Sequence, residues 1–132
     1  MAAPSFHALI VEDDFLFAWR LEDLLRDLGF ESFAIASTAA EAIAAAEERR
    51  PDLITADLRL SDDSGLHVVR TIHARIAPSI PVVFITASAE ELAGMAELTV
   101  ISKPINVAAL QRACRSVFQN MPEARAGAVV PA

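Results

Sequence analysis

The sequence predicts an α/β fold built on a five-stranded parallel sheet, and three observations carry that prediction. Strand-like and helix-like segments alternate five times along the chain. The strand-like segments are short apolar runs bounded by polar or turn residues, the pattern of strands buried on both faces. Four of these runs also end in a carboxylate, a hydroxyl or an ammonium. Ala8-Leu-Ile-Val11 leads into Glu12-Asp13-Asp14, Leu53-Ile-Thr-Ala56 into Asp57, Val82-Val-Phe-Ile85 into Thr86, and Val100-Ile-Ser102 into Lys103-Pro104.

The first strand is expected over Phe6–Val11, followed by a helix near Asp14–Leu28. In that helix Leu21, Leu24, Leu25 and Leu28 follow an i, i+3, i+4, i+7 pattern, and Gly29 is a natural C-terminal cap. After a strand over Glu31–Ala36, Ser37-Thr38 precedes Glu41 in the manner of a capping box and opens an Ala-rich helix over Thr38–Arg49. Pro51 helps to stop that helix behind Arg49-Arg50, whose charges suit a helix C-terminus. A strand over Asp52–Asp57 and a helix over Gly65–Ile76 follow, then a strand over Pro81–Ile85 and a short helix over Ala89–Ala96. The last pair is a strand over Thr99–Ser102 and a helix over Asn106–Asn120, with Val107, Leu110, Cys114 and Val117 as its core stripe. Residues 122–132, rich in Ala, Pro and Gly, read as a disordered tail behind a domain over 1–121.

The 132 residues suffice for one domain with a real core, and 54% hydrophobic against 22% charged content excludes global disorder. Net charge is −7 with no basic cluster beyond Arg49-Arg50, which argues against direct nucleic-acid binding. Cys114 is the only cysteine, so no internal disulfide can form, and it reads as packing rather than as a reactive thiol. With no signal-peptide pattern behind Met1 and no apolar stretch of membrane-spanning length, the expectation is a soluble, cytoplasmic protein without membrane insertion.

In an open α/β sheet, ligands gather outside the carboxyl ends of the strands. If the first and third strands are neighbours, as in the flavodoxin-like order 2-1-3-4-5, then Glu12, Asp13 and Asp57 lie side by side at the switch point. Clustered carboxylates repel, and a divalent cation is the usual remedy; all-oxygen ligation suits Mg²⁺, with Mn²⁺ as a substitute. A cation would keep Asp57 ionised and nucleophilic, as a carboxylate that forms an acyl phosphate must be. Thr86 can donate to one phosphoryl oxygen and Lys103 can pair with another. Taken singly, each of these residues has a plainer role: an acidic first turn of a helix for Glu12-Asp13-Asp14, a cap for Thr86, a solvated charge for Lys103. Their joint placement at strand ends points to chemistry.

From about Phe6 to Asn120 these residues resemble a bacterial two-component response-regulator receiver domain of the stand-alone, single-domain type. The resemblance is carried by Val11-Glu-Asp-Asp14, by Asp57 with Gly65 eight residues later, by Thr86-Ala87 and by Lys103-Pro104. It implies that Asp57 accepts a phosphoryl group from a phosphohistidine on a sensor histidine kinase or phosphotransfer protein. It further implies that Glu12, Asp13, Asp57 and the backbone carbonyl of Arg59 hold the metal, that Thr86 and Lys103 bind phosphate, and that Pro104 follows a cis peptide bond. The fold implied is a flavodoxin-like, doubly wound five-stranded sheet with five helices. Three departures stand out. Val100 occupies the switch position where the family often has an aromatic ring, and the chain contains no tyrosine. The Thr86–Lys103 interval of 17 residues shortens the fourth helix to about two turns, and Ser61 stands where a proline is frequent.

Arg59 and Ser88 occupy the positions that flank the attacking water in the family. As tuning residues they predict slow autodephosphorylation, with Arg59 shielding or engaging the phosphoryl group; the plainer alternative pairs Arg59 with Asp62 or Asp63. Phe15 and Trp19, four apart and off the leucine stripe, would form an exposed patch for docking the phosphodonor, or one ring folds onto the core. His7, His67 and His73 lack metal-ligand spacing and read as surface or capping residues. The expected function is a phosphorylation-controlled switch that catalyses only its own phosphorylation and dephosphorylation, acting on an unspecified downstream protein or relaying phosphate. The rivals are a pseudo-receiver that works without phosphorylation and a small haloacid-dehalogenase-like phosphatase. The latter needs a second Asp where this chain has Arg59.

Overall fold

In a computed structural model, which describes residues 6–119, five parallel strands form one sheet in the order β2-β1-β3-β4-β5. The elements are β1 (His7–Val11), α1 (Phe15–Asp27), β2 (Ser32–Ala36), α2 (Ala39–Glu48), β3 (Leu53–Ala56), α3 (Gly65–Arg75), β4 (Val82–Thr86), β5 (Thr99–Ser102) and α4 (Val107–Gln119). This is the flavodoxin-like, doubly wound arrangement expected. The tail expected over 122–132 lies outside the described residues.

Period-2 alternation divides the strands between two cores. Ala8, Ile10, Leu53, Val83 and Ile85 face α1 and α4, packing on Leu21, Leu25, Leu110 and Cys114. Leu9, Val11, Ile54, Ala56 and Phe84 face the other way, onto α2 and α3 through Ala42, Ala46, Val68 and Ile72. Phe6, Phe30 and Phe118 close the base of the α1/α4 layer with ring centroids 5.7–5.8 Å apart. Cys114 is core packing, and desolvation pushes its thiol up to about 12. Val107, placed in the core stripe by its spacing, is instead exposed in the first turn of α4, and Ala113 and Phe118 are buried there.

The helix ends follow the local chemistry. Asp14 caps α1, its carboxylate accepting from the amides of Leu16 and Phe17. Gly29, at φ 107°, ends α1: its amide donates to Arg26 and the Phe30 amide to Leu25, satisfying two carbonyls that the helix leaves open. Thr38 caps α2 through the Glu41 amide, while the Glu41 carboxylate takes the Ser37 amide, one residue further out than in a standard capping box.

The expected fourth helix is not formed. Among the described residues there are four α-helices, and Ala89–Leu92 is a 3-10 turn. Ser88 provides no side-chain cap, and Gly94 follows within two residues of the turn's end. So short a segment gains too few hydrogen bonds to repay helix nucleation. The face of β4 and β5 beside α3 is left with a groove of about 490 Å³, bordered by Leu66, Val69, Phe84 and Leu98.

Gly65 opens α3 with its Cα against the backbone of the phosphoacceptor candidate. Its amide donates to the Leu58 carbonyl at 2.7 Å, and a Cβ there would lie 1.9 Å from the Asp57 carbonyl oxygen. Backbone cannot yield as a flexible side chain can, so Gly65→Ala is expected to fall at the upper end of the overpacking range, about 3 kcal/mol. Urea unfolding measures this directly; a loss below about 1 kcal/mol would show that the contact relaxes freely.

Candidate functional site

The sheet ladder continues one residue past the strands and so fixes the site. The Glu12 amide donates to the Ala36 carbonyl at 2.9 Å, the Asp57 amide to Val11 at 3.0 Å, and the Lys103 amide to Thr86 at 3.0 Å. Because Val11 is in register with Ala56, the side chains of Glu12 and Asp57 leave neighbouring strands side by side. The Lys103–Pro104 peptide bond is cis.

Lys103 donates from one Nζ to Glu12 Oε1 at 2.6 Å and to Asp57 Oδ2 at 3.0 Å. Glu12 is only 2% exposed, so its charge is costly without a partner. Burial raises the Glu12 pKa above its ordinary value and outweighs the opposing influence of Lys103 and of the Asp14 amide. Burial also pulls the Lys103 ammonium down, but its bonds and attraction to Glu12 and Asp57 together outweigh that and hold its pKa above the usual lysine value. The two shifts have different causes, burial for Glu12 and the paired carboxylates for Lys103. By formal charge, the carboxylates of Glu12, Asp13 and Asp57 outnumber the one ammonium. Phe17 lies under the ammonium, 4.2 Å from ring centroid to Nζ, a cation–π contact that periodicity along α1 does not announce.

Carboxylate oxygens of Glu12, Asp13 and Asp57 lie within 4.8 Å of one another. An all-oxygen set around a pocket short of positive charge fits a hard divalent cation such as Mg²⁺. The acidic run Glu12-Asp13-Asp14 thus divides three ways. Glu12 is buried against Lys103, Asp13 stands exposed at the rim, and Asp14 alone is the helix cap.

Thr86, buried at the end of β4, accepts through Oγ1 from the Ser88 amide at 3.1 Å. Arg59, two residues past Asp57, donates its amide to Asp57 Oδ1 at 3.2 Å. Its guanidinium pairs with neither Asp62 nor Asp63: Nε donates to Ser88 Oγ at 3.0 Å and Nη2 meets Glu91 Oε2 at 2.6 Å. Asp62 instead accepts from the Ala39 amide at the start of α2, and Asp63 pairs with His67. Glu91 has no sequence signal, because a partner in a turn 32 residues away has no periodic relation to Arg59.

Phe15 and Trp19 are 56% and 59% exposed, beside an exposed Leu16, so neither ring folds onto the core. A groove of about 600 Å³ lined by Phe17, Arg20, Lys103, Pro104 and Ile105 opens at the same end of the molecule. Val100 pairs with Phe84 in the sheet and packs, half-buried, against the α2/α3 core. Of the histidines, His7 departs from its surface reading: it is buried at the start of β1 and bonded through Nδ1 to Ser32 Oγ at 2.8 Å. His73 bonds the Ile80 carbonyl at 2.9 Å. Among the described residues, no helix is long and apolar enough to cross a membrane.

The family model of the response regulator receiver domain matches residues 8–115. The phyllosphere-induced regulator PhyR of Methylorubrum extorquens is 43% identical over 84 residues, a stretch covering 62% of this chain and 31% of that protein. The receiver domain of Erythrobacter litoralis PhyR superposes with a TM-score of 0.80 at 29% identity, covering 95% of this chain and 97% of that one. The anti-anti-sigma factor PhyR of Bartonella quintana gives 0.77 at 30% identity, over 89% of this chain and 49% of its own length. The chain spans about a third of the length of the curated relatives it matches.

Lys103→Met removes the ammonium and leaves a buried carboxyl behind. A folded-state pKa above its ordinary value means that Glu12 favours the folded state most at low pH, and that this contribution is lost as pH rises through the folded value. Without Lys103 that folded value climbs further. The variant is therefore expected to lose on the order of 2 kcal/mol at mildly alkaline pH, and less as acid protonates Glu12. Urea midpoints of both proteins at pH of about 8 and about 5 test the sign; an equal loss at both would contradict it.

Proposed function

The chain belongs to the response regulator receiver domain family, and from that premise we propose that Asp57 is its phosphoacceptor in a Mg²⁺-dependent signalling switch. The observation that carries the reading is the shared Lys103 ammonium, 2.6 Å from Glu12 and 3.0 Å from Asp57, beside a cluster of three carboxylates that it does not neutralise alone. Glu12, Asp13, Asp57 and the Arg59 carbonyl would hold Mg²⁺, or Mn²⁺ in its place. When bound, the metal supplies neutralisation of charge on the transferred group.

An Asp57 carboxylate oxygen attacks phosphorus, the P–N bond to the donor histidine breaks, and the electron pair leaves with the imidazole. Lys103 then turns from pairing with Asp57 to pairing with a phosphoryl oxygen. Thr86 Oγ1 accepts from the Ser88 amide, which leaves its own hydrogen free to donate to another phosphoryl oxygen. The protein turns over no external substrate; it catalyses only its own phosphorylation and dephosphorylation, and Arg59 and Ser88 tune the latter. The donor is a histidine kinase or phosphotransfer protein, docking on the exposed Phe15 and Trp19 rings at the N-terminal end of α1. Output runs through contact with a downstream protein or through phosphorelay. Protein contact is supported by the likeness to an anti-anti-sigma factor.

Incubation with phosphoramidate and Mg²⁺ is expected to add one phosphate by intact mass, and Asp57→Ala to abolish the gain. Rapid donor turnover with no phosphoprotein accumulating would favour a phosphatase, and neither turnover nor gain a pseudo-receiver. Mg²⁺ at about 100 times its Kd is expected to stabilise the fold by about 2.7 kcal/mol, read as a rise in Tm that Asp13→Asn removes. Trp19→Ala is expected to slow phosphotransfer from a cognate donor while leaving labelling by phosphoramidate intact; equal slowing of both would count against docking.

A further inference from the structure

Ser88 links two groups of the pocket, Thr86 and Arg59. Its backbone amide donates to Thr86 Oγ1 at 3.1 Å, and its hydroxyl accepts from Arg59 Nε at 3.0 Å. Arg59 in turn holds Glu91 at 2.6 Å, so Thr86, Ser88, Arg59 and Glu91 form one chain from the phosphate-binding hydroxyl to the 3-10 turn. We propose that Glu91 is the positioning residue for Arg59: it holds the guanidinium away from Asp57 until that residue is phosphorylated, and exchange of Glu91 for a phosphoryl oxygen releases the Ala89–Leu92 turn. This rests on the reading of Asp57 as the phosphoacceptor.

The charges favour the exchange. The Arg59 and Glu91 side chains are 68% and 44% exposed, so their attraction is screened and cheaply given up. A phosphoryl group offers close to two negative charges and several oxygens, where Glu91 offers one charge, and the planar guanidinium fork matches phosphate geometry. Arg59 is already tethered to the site, since its amide donates to Asp57 Oδ1 at 3.2 Å.

The receiving element is short and anchored in the core by one side chain, Leu92, its one buried residue. At its two ends the turn makes i→i+3 backbone bonds of 3.0–3.3 Å, from Glu91 to Ser88 and from Ala93 to Glu90, with no side-chain cap. Glu91, Leu92 and Met95 form one wall of a groove of about 380 Å³ whose other wall carries Arg59, Leu60 and Leu66. Arg59 and Glu91 thus join the two walls, and parting them exposes the apolar side chains between. With Val100 at the switch position there is no ring in β5 to carry the signal.

Dephosphorylation is attack of water on phosphorus, cleavage of the P–O bond to Asp57, and departure of inorganic phosphate with the water's proton. A guanidinium seated on the phosphoryl oxygens obstructs that attack, so whatever competes for Arg59 shortens the phosphoryl lifetime. The test uses the full chain labelled with phosphoramidate and Mg²⁺, freed of donor, and followed by intact mass. Glu91→Gln is expected to lengthen the lifetime about three-fold, Glu91→Asp to stay near wild type, and Arg59→Asn to shorten it. The Glu91→Gln/Arg59→Asn double variant should match Arg59→Asn alone. In amide hydrogen exchange, residues 89–95 should open on phosphorylation of the wild type and be open already in unphosphorylated Glu91→Gln. An unchanged lifetime in Glu91→Gln, or a lengthening that survives in the double variant, overturns the proposal while leaving the phosphoacceptor reading intact. Failure of the wild type to gain phosphate overturns that reading, and this one with it.

Discussion

One ammonium shared between two carboxylates on different strands is the constraint to which the rest of the structure answers. Glu12 leaves β1, Asp57 leaves β3 and Lys103 leaves β5, with Thr86 of β4 between the last two. Only a parallel sheet, in which all strands end at one edge, brings these groups together. The two apolar cores fix that edge, and the backbone bonds that extend the ladder by one residue place each side chain. The result is a pocket held together by opposite charges and still lacking positive charge. Such a pocket has the all-oxygen lining that suits a divalent cation.

Most of the fold was legible because its signals are local. The apolar strand runs, the leucine spacing of α1, the Gly29 terminus and the Thr38–Glu41 cap each depend on residues a few positions apart. The residues at strand ends were legible for a related reason: strand direction alone determines which end of the sheet they reach. What sequence reasoning missed depends on distance in the chain or on marginal energetics. Glu91 meets Arg59 across 32 residues, and His7 is buried because Ser32, on the neighbouring strand, supplies a partner. The segment over Ala89–Ala96 had helical composition, but without a cap and with Gly94 inside it only a 3-10 turn persists. Val107 had the spacing of a core residue, yet as the first residue of α4 it is exposed, and burial begins at Leu110.

The cap, the buried partner and the rim carboxylate within Glu12-Asp13-Asp14 show how densely one strand end can be used. Three adjacent acids serve three physical purposes, because each points into a different environment. The same economy appears at Gly65, whose lack of a side chain is what lets α3 start against the Asp57 carbonyl. Substitutions that silence such a site therefore need not touch any group with chemistry of its own.

The two sides of the sheet are unequally clad. β1 and β3 lie between full-length helices, whereas β5 is an edge strand whose neighbour on the α3 side is a single turn. A layered domain behaves as a composite beam under such conditions: displacement imposed at one end is taken up where the laminate is thinnest. By that reasoning the β2 side, covered by full-length helices, is the stiffer flank and the β5 side the more compliant one.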